Sequence, residues 1–467
     1  MTELWRWDAF ELARAIRTRA VSSREAALAC LERTDQVNGR LNAIVELAPD
    51  AALAAAEAAD AAVGRGETLG WLHGVPVTTK INVDQAGSAT SNGVVAFRDA
   101  VALEDSPVVA NLRAAGAVIF GRTNTPAFSF RWFTENDLHG RTLNPWSTGH
   151  TPGGSSGGAS VAVAAGMGPI AQGNDFAGSI RYPAYCTGVF GLRPSFGRVP
   201  AHLPSAPAER PITAPWMSVQ GPLARSVRDL RLALRAMAAG DPNDPWWVPA
   251  PLEGAAPAHP IRVAFSRSAA GRSASPEVEA AVLGAAGWLS EAGYAIEEVD
   301  PPDMAEAAAL WLTLAQGEAR HFMGEAIARD GDHGIRTAFE SMCAHAPVLD
   351  AYRHMKALAQ RSALVRRWQQ FLQRYPLVLT PVSGESAFPW GLDVGGRTGI
   401  DRVLQALGPM FMVPVLGLPA VAAPTGVANR LPIGVQIVGP RFREDLVLDA
   451  AEVLEARCGP MTPIDPR

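Results

Sequence analysis

The chain has 467 residues, 48% of them hydrophobic and 19% charged, with a formal net charge of −5. That balance suits one large globular domain or roughly two to three smaller ones, and it lacks the basic footprint of a nucleic-acid binder. No run approaches the ~20 apolar residues of a membrane span, the first twenty residues lack a secretory apolar core, and Cys30, Cys186, Cys343 and Cys458 form no CxxC pair, so a reduced, cytoplasmic protein without a structural metal is expected.

Leu4, Phe10, Leu12 and Ile16 among charges predict an amphipathic helix over residues 4–19. Ser22 and Glu25 form a capping-box pattern that opens a second helix, with Ala26, Ala29, Cys30 and Val37 on its apolar face. An alanine-rich third helix follows Pro49 and ends at Gly64 and Gly66. Residues 1–66 thus read as a helical segment that packs on a core, or that joins two copies of the chain in a homodimer.

Residues 67–467 read as one further domain, within which 240–375 could form an α/β-helical subdomain. A turn from Gly70 leads into a short strand, Val75 to Ile81, which carries Lys80 at its end. Ser106 and Pro107 start a helix that stops at Gly116, and Ala117 to Phe120 is a strand. Strand, helix, strand at this spacing is α/β architecture with parallel pairing. Residues 125–151 are irregular and hold Phe128, Phe130, Trp132, Phe133 and Trp146, which fits either a pocket lining or a loop folded over its own aromatics. After Pro194 a Pro-rich loop runs to about Ala214, and residues 218–226 lead into a helix over 226–239. Strands are expected at Ile261–Phe265, Tyr294–Val299, Leu377–Pro381 and Leu431–Gly439. Helices are expected over Pro276–Ala292, 303–374 and 443–456.

Between these elements lies the stretch from Thr151 to Ala184, a run of Gly, Ser and Ala with almost no charge. Two serine-bearing turns, 153–158 and 176–179, flank Val161–Ala165, which is too apolar for a flexible linker. A serine hydroxyl attacks a carbonyl only when a base removes its proton. Residues 153–157 match the G-x-S-x-G elbow, but no strand precedes them and no motif pairs His354 with an acid. The other base is Lys80. Only two of the 41 basic residues are lysines, Lys80 and Lys356. Unlike arginine, a buried lysine can lose its proton. A buried salt bridge is the plainer role for the same residue.

GVPVTTK (74–80), PGGSSGGAS (152–160), GNDFAGSIRYPA (173–184) and GLRPSFGRVP (191–200) resemble the amidase signature family in order and spacing. Lys80 and Ser155 are 75 residues apart. The segments LGLPAVAAPTG and LPIGVQIVG look like that family's C-terminal part. The resemblance implies an α/β fold with a large mixed sheet covered by helices on both faces. It also implies a Ser–cis-Ser–Lys triad with Ser179 as nucleophile, Ser155 as bridging serine on a cis Gly154–Ser155 peptide, and Lys80 as base. The backbone N–H groups of Phe176, Ala177, Gly178 and Ser179 would form the oxyanion hole. Ser156, Asp175 and Arg181 would support it from behind, and Ser129, Phe130, Arg131 and Trp132 would lie at the acyl-pocket rim.

The chain departs from the family pattern in three places. Lys80 is followed by Ile81-Asn82 instead of an aspartate, Asn174 replaces a threonine, and Ala177 replaces a glycine. The expected activity is hydrolysis of a neutral apolar or aryl amide through an acyl-enzyme, with small-molecule substrate, water, no cofactor, no metal, no nucleic acid and no membrane. Two other readings share the motifs: a carbamate or ester hydrolase, and the A subunit of a glutamine-dependent amidotransferase acting with a partner.

Overall fold

The structure, a computed structural model, describes residues 3–467. Eleven strands form one mixed sheet: β1 (Ile44–Leu47), β2 (Pro76–Lys80), β3 (Val118–Thr123), β4 (Ile170–Asp175), β5 (Phe190–Arg193), β6 (Val219–Ala224), β7 (Arg262–Phe265), β8 (Ala295–Glu298), β9 (Leu377–Pro381), β10 (Ala420–Ala428) and β11 (Leu431–Val438). Their spatial order is β1-β3-β2-β4-β6-β5-β10-β11-β9-β7-β8. β2 runs parallel to both β3 and β4, and β7 runs parallel to both β8 and β9. The remaining pairs are antiparallel.

Side chains alternate across the sheet, as the two-residue strand period requires. In β10, Ala420 and Ala422 enter one apolar cluster while Val421 and Ala423 enter the other. The first cluster is covered by helices that include Met304–Phe322 and Gly408–Leu416. The second is covered by Ala9–Arg17, Val227–Met237, Pro276–Glu291 and Glu444–Cys458. A sheet buried on both faces favours apolar residues along its strands; β10 follows this over Ala420–Ala423, whereas β2, β4 and β5 end in the buried polar residues Lys80, Asp175 and Arg193.

Several elements differ from the sequence reading. The first 66 residues supply three long helices and also edge strand β1, which pairs with β3. Residues 219–224 are a central strand bonded on both sides, not the lead-in to a helix. The segment 240–375 contributes β7 and β8 to the same sheet, and its later helices join the cover. Of the loop aromatics, Trp132, Phe133 and Trp146 are buried. Among the described residues, no helix is long and apolar enough to cross a membrane, and no group of three or more His, Cys, Asp or Glu could hold a metal ion.

Candidate active site

The parallel pairing of β2 with β4 places the ends of both strands side by side, where open α/β sheets usually carry their sites. Lys80 is the last residue of β2, and Asn174 and Asp175 end β4. Lys80 is fully buried. Its Nζ lies 2.7 Å from Ser155 Oγ, 2.8 Å from Asn174 Oδ1 and 3.1 Å from Ser156 Oγ. The Asn174 oxygen can only accept, so Nζ donates there, while either hydroxyl can donate or accept. Three partners suit the three hydrogens of an ammonium, or the two hydrogens and one lone pair of an uncharged amine with one hydroxyl donating. Burial holds the Lys80 pKa well below the ordinary lysine value, and the Asp175 carboxylate opposes this only in part.

Ser155 follows a cis peptide bond to Gly154. A Cβ at Gly154 would stand 2.5 Å from the carbonyl oxygen of Arg131, so only glycine lets these two chain segments approach. Ser156 is next to it and opens the small-residue helix Gly157–Ala164. The Ser156 N–H donates to the Ser179 carbonyl at 3.1 Å, which ties the two serine-bearing turns together. Ser179 faces a cleft lined also by Ser129, Phe130, Arg131, Trp132, Phe176, Ala177, Trp311 and Met342. Among the described residues its Oγ has no side-chain partner.

Behind the turn, Asp175 binds two guanidiniums, Arg181 at 2.9 Å and Arg193 at 3.3 Å, all three groups fully buried. Burial alone would raise the Asp175 carboxyl, but the two arginines outweigh it and hold the acid below the usual carboxylate range. Burial also draws the Arg193 pKa down to about 10 against the attraction of Asp175. Asp175 Oδ1 accepts the Gly178 N–H at 2.8 Å. Gly178 has φ +92, and a Cβ there would meet Met410 Sδ at 2.4 Å. The Gly178 N–H is therefore engaged, whereas those of Phe176, Ala177 and Ser179 donate to no protein acceptor among the described residues. This narrows the four expected oxyanion donors to three.

The rim residues separate into different environments. Phe130 is half-buried and stands 6.5 Å from the Phe176 ring and 5.8 Å from the Phe339 ring. Trp132 is buried and packs on Trp311 and Phe411. Arg131 borders the cleft, but its guanidinium is taken by a buried ion pair with Asp393 at 2.7 Å, so it has no free charge to offer an acyl group. Ser129 closes a chain of polar contacts that begins at the lysine. Asn174 Nδ2 donates to Asn82 Oδ1 at 3.0 Å, Asn82 Nδ2 donates to Ser129 Oγ at 2.9 Å, and Ser129 donates to Asn92 Oδ1 at 2.6 Å. Two of the departures from the family pattern, Asn82 and Asn174, are thus adjacent links.

Trp311 and the Asn82–Asn174 contact are what sequence reasoning missed. Trp311 lies 132 residues after Ser179, on a helix whose pattern signals only amphipathicity. The asparagine pair carried a signal, since both positions depart from the family pattern.

A family model described as Amidase matches residues 25–448. The indoleacetamide hydrolase of Bradyrhizobium diazoefficiens is 46% identical over 460 residues, covering 98% of this chain and 87% of that one. The A subunit of the Glutamyl-tRNA(Gln) amidotransferase of Moorella thermoacetica is 33% identical over 97% of each chain. Among solved structures, 6-aminohexanoate cyclic dimer hydrolase with its substrate superposes with a TM-score of 0.84 at 27% identity, over 99% of both chains. A bacterial aryl acylamidase of the amidase signature family superposes with a TM-score of 0.83 at 25% identity, over 98% of this chain and 96% of that one.

Proposed function

The chain belongs to the amidase family and is an amide hydrolase, and from that premise we propose that it cleaves a neutral aryl-acetamide, of the indole-3-acetamide type, through Ser179, Ser155 and Lys80. The observation that carries the catalytic part is the buried Lys80 amine 2.7 Å from Ser155 Oγ. The aromatic cleft that Ser179 faces, and the 46% identity to an indoleacetamide hydrolase, support the substrate class.

In this reading Ser155 donates its proton to the lone pair of Lys80 and takes the proton of Ser179 in turn. Ser179 Oγ bonds to the amide carbon, and the oxygen gathers charge against the N–H groups of Phe176, Ala177 and Ser179. The C–N bond then breaks, and the leaving nitrogen takes the proton back through Ser155 to depart as ammonia. Water enters and is deprotonated by the same route. It attacks the ester, and the carboxylic acid leaves with Ser179 restored. Asn174 orients the amine by accepting one of its hydrogens. The cleft offers about 30 Å³, room for a water or two, so an indole ring requires the cleft to widen on binding.

The reading as an amidotransferase component has the 33% identity in its favour. It is weaker at the cleft, where Phe130, Phe176 and Trp311 offer no polar partner for a glutamine carboxylate or ammonium. Four free cysteines fit a reducing, cytoplasmic setting.

The test is a panel of purified-protein assays on indole-3-acetamide, an anilide, an aliphatic amide, a carbamate and glutamine, with Ser179→Ala as control. The expected result is ammonia release from the aryl-acetamide by the chain alone, absent in the control. Glutamine turnover that requires an added partner, with no aryl-acetamide cleavage, would refute the substrate class.

A further inference from the structure

Each carbonyl of residues 175–179 accepts from a donor outside that turn. Arg193 Nη1 holds the Asp175 oxygen. The indole N–H of Trp311 donates to the Phe176 oxygen at 3.1 Å, and the indole N–H of Trp132 donates to the Ala177 oxygen at 3.0 Å. The Tyr182 and Ser156 backbone N–H groups hold the Gly178 and Ser179 oxygens. In a trans peptide the C=O and the following N–H point in opposite directions. Fixing a carbonyl on one side therefore aims the next N–H at the other.

Two of these five holders are tryptophans, and they do different things. The peptide that Trp132 holds ends in the Gly178 N–H, which is fixed at its far side by Asp175. The peptide that Trp311 holds ends in the Ala177 N–H, which nothing in the described chain accepts. Trp311 is 2% exposed and stacks on Phe411 with ring centroids 4.4 Å apart. It also lines the cleft that would receive the acyl group. Its ring is immobilised by packing, and its N–H is directed at one peptide.

We infer that Trp311, a residue of the helical cover, is the positioning residue for the Ala177 N–H as an oxyanion donor, with Trp132 in a lesser role because Asp175 already fixes the peptide it holds. This rests on the reading of Ser179 as nucleophile. A lost N–H at position 311 leaves the Phe176–Ala177 peptide free to rotate. The donor is then misaimed for the charged oxygen of the transition state, while the apolar contacts that bind the ground-state ring persist.

The experiment compares Trp311→Phe and Trp132→Phe with the wild type in kcat, KM, thermal midpoint and affinity for an aryl boronic acid that mimics the tetrahedral adduct. Removing an oxyanion donor outright costs about 100-fold or more, so loosening one should lower kcat about 10-fold or more in Trp311→Phe. Its KM should hold within about threefold, and boronate affinity should fall in parallel with kcat/KM. Trp132→Phe should lose less. An unchanged kcat in Trp311→Phe, or a loss matched by KM and thermal midpoint without loss of boronate affinity, would overturn the inference. If Trp311→Phe does not fold, benzothienylalanine at 311, which keeps the shape and lacks only the N–H, decides by the same readouts. Activity surviving in Ser179→Ala would instead refute the nucleophile assignment.

Discussion

Asn174 accepts a 2.8 Å hydrogen bond from Lys80 Nζ across the ends of two adjacent parallel strands. The partner is neutral, so the amine gains orientation without gaining an anion beside it. Replacing Asn174 by Asp places a carboxylate at the same spot and stabilises the protonated amine. The acid limb of the kcat/KM profile should move to higher pH, and activity at pH 7 should fall by roughly 10-fold or more. Asn174→Thr should keep the wild-type profile. Rate measurements from pH 5 to 10 on both variants check this.

The wild-type profile has a sign that follows from Lys80 itself. Its pKa is held down by burial, so the amine is uncharged, and active, above the lowered value. Activity should fall as pH drops through that value. Stability follows the same direction. Between the lowered value and the ~10.4 of an unfolded lysine, the unfolded chain binds one more proton, so folding weakens as pH falls through that window. Lys80→Met should be inactive, and its thermal midpoint should vary less with pH than the wild type's.

Ser179→Ala should abolish labelling by a fluorophosphonate probe and reduce kcat about 1,000-fold or more. Cys186→Ala should be labelled normally. Cys186 is buried, and burial raises its thiol pKa far above the nucleophilic range. Mass spectrometry of labelled peptides separates the two positions, and labelling outside residue 179 would move the nucleophile.

Asp175→Asn should damage the fold before the chemistry. The carboxylate is the counter-charge of two buried arginines and the acceptor for Gly178. Breaking a buried ion pair by removing one member costs about 3–5 kcal/mol, so a clear drop in denaturant midpoint is expected, with Arg181→Met giving a smaller one. The stabilisation from Asp175 is present above the ~3.9 of an unfolded aspartate, and it is lost as pH falls through the lowered folded value.

Phe130→Ala tests the acyl side. Phe130 is half-buried at the cleft and touches no reacting group. Its ring is worth about 1.5–3 kcal/mol when fully covered. The KM for an aryl-acetamide should rise roughly 10-fold with little change in kcat, while bulkier amides gain relative to it. Equal effects on small aliphatic amides would count against an aryl pocket.

Lys80 stood out as one of only two lysines, and Ser155 and Ser179 lie in an uncharged Gly/Ser-rich stretch, but the roles expected of the two serines came from the family resemblance. The parallel β2–β3 pair was legible from spacing. Strand β6 was not, since Gly221 and Pro222 lie inside it and proline normally stays out of a strand bonded on both sides. There Pro222 faces Gln172 across the β4 pairing. The proposed oxyanion donors were named as a set of four through the resemblance, without showing that Gly178 is engaged by Asp175. That tryptophans hold the Phe176 and Ala177 carbonyls depends on contacts across 135 and 45 residues of chain. Helical or strand periodicity carries no information about such contacts. Arg131 shows the same limit, because its partner Asp393 lies 262 residues away.

The burial of Lys80 also has a practical side. It is sealed from solvent, while the only other lysine, Lys356, stands exposed on the helix Ala351–Arg374. Amine-reactive dyes or activated resins therefore meet one lysine handle that is not the proposed base. The enzyme should tolerate tethering through Lys356 with its turnover intact.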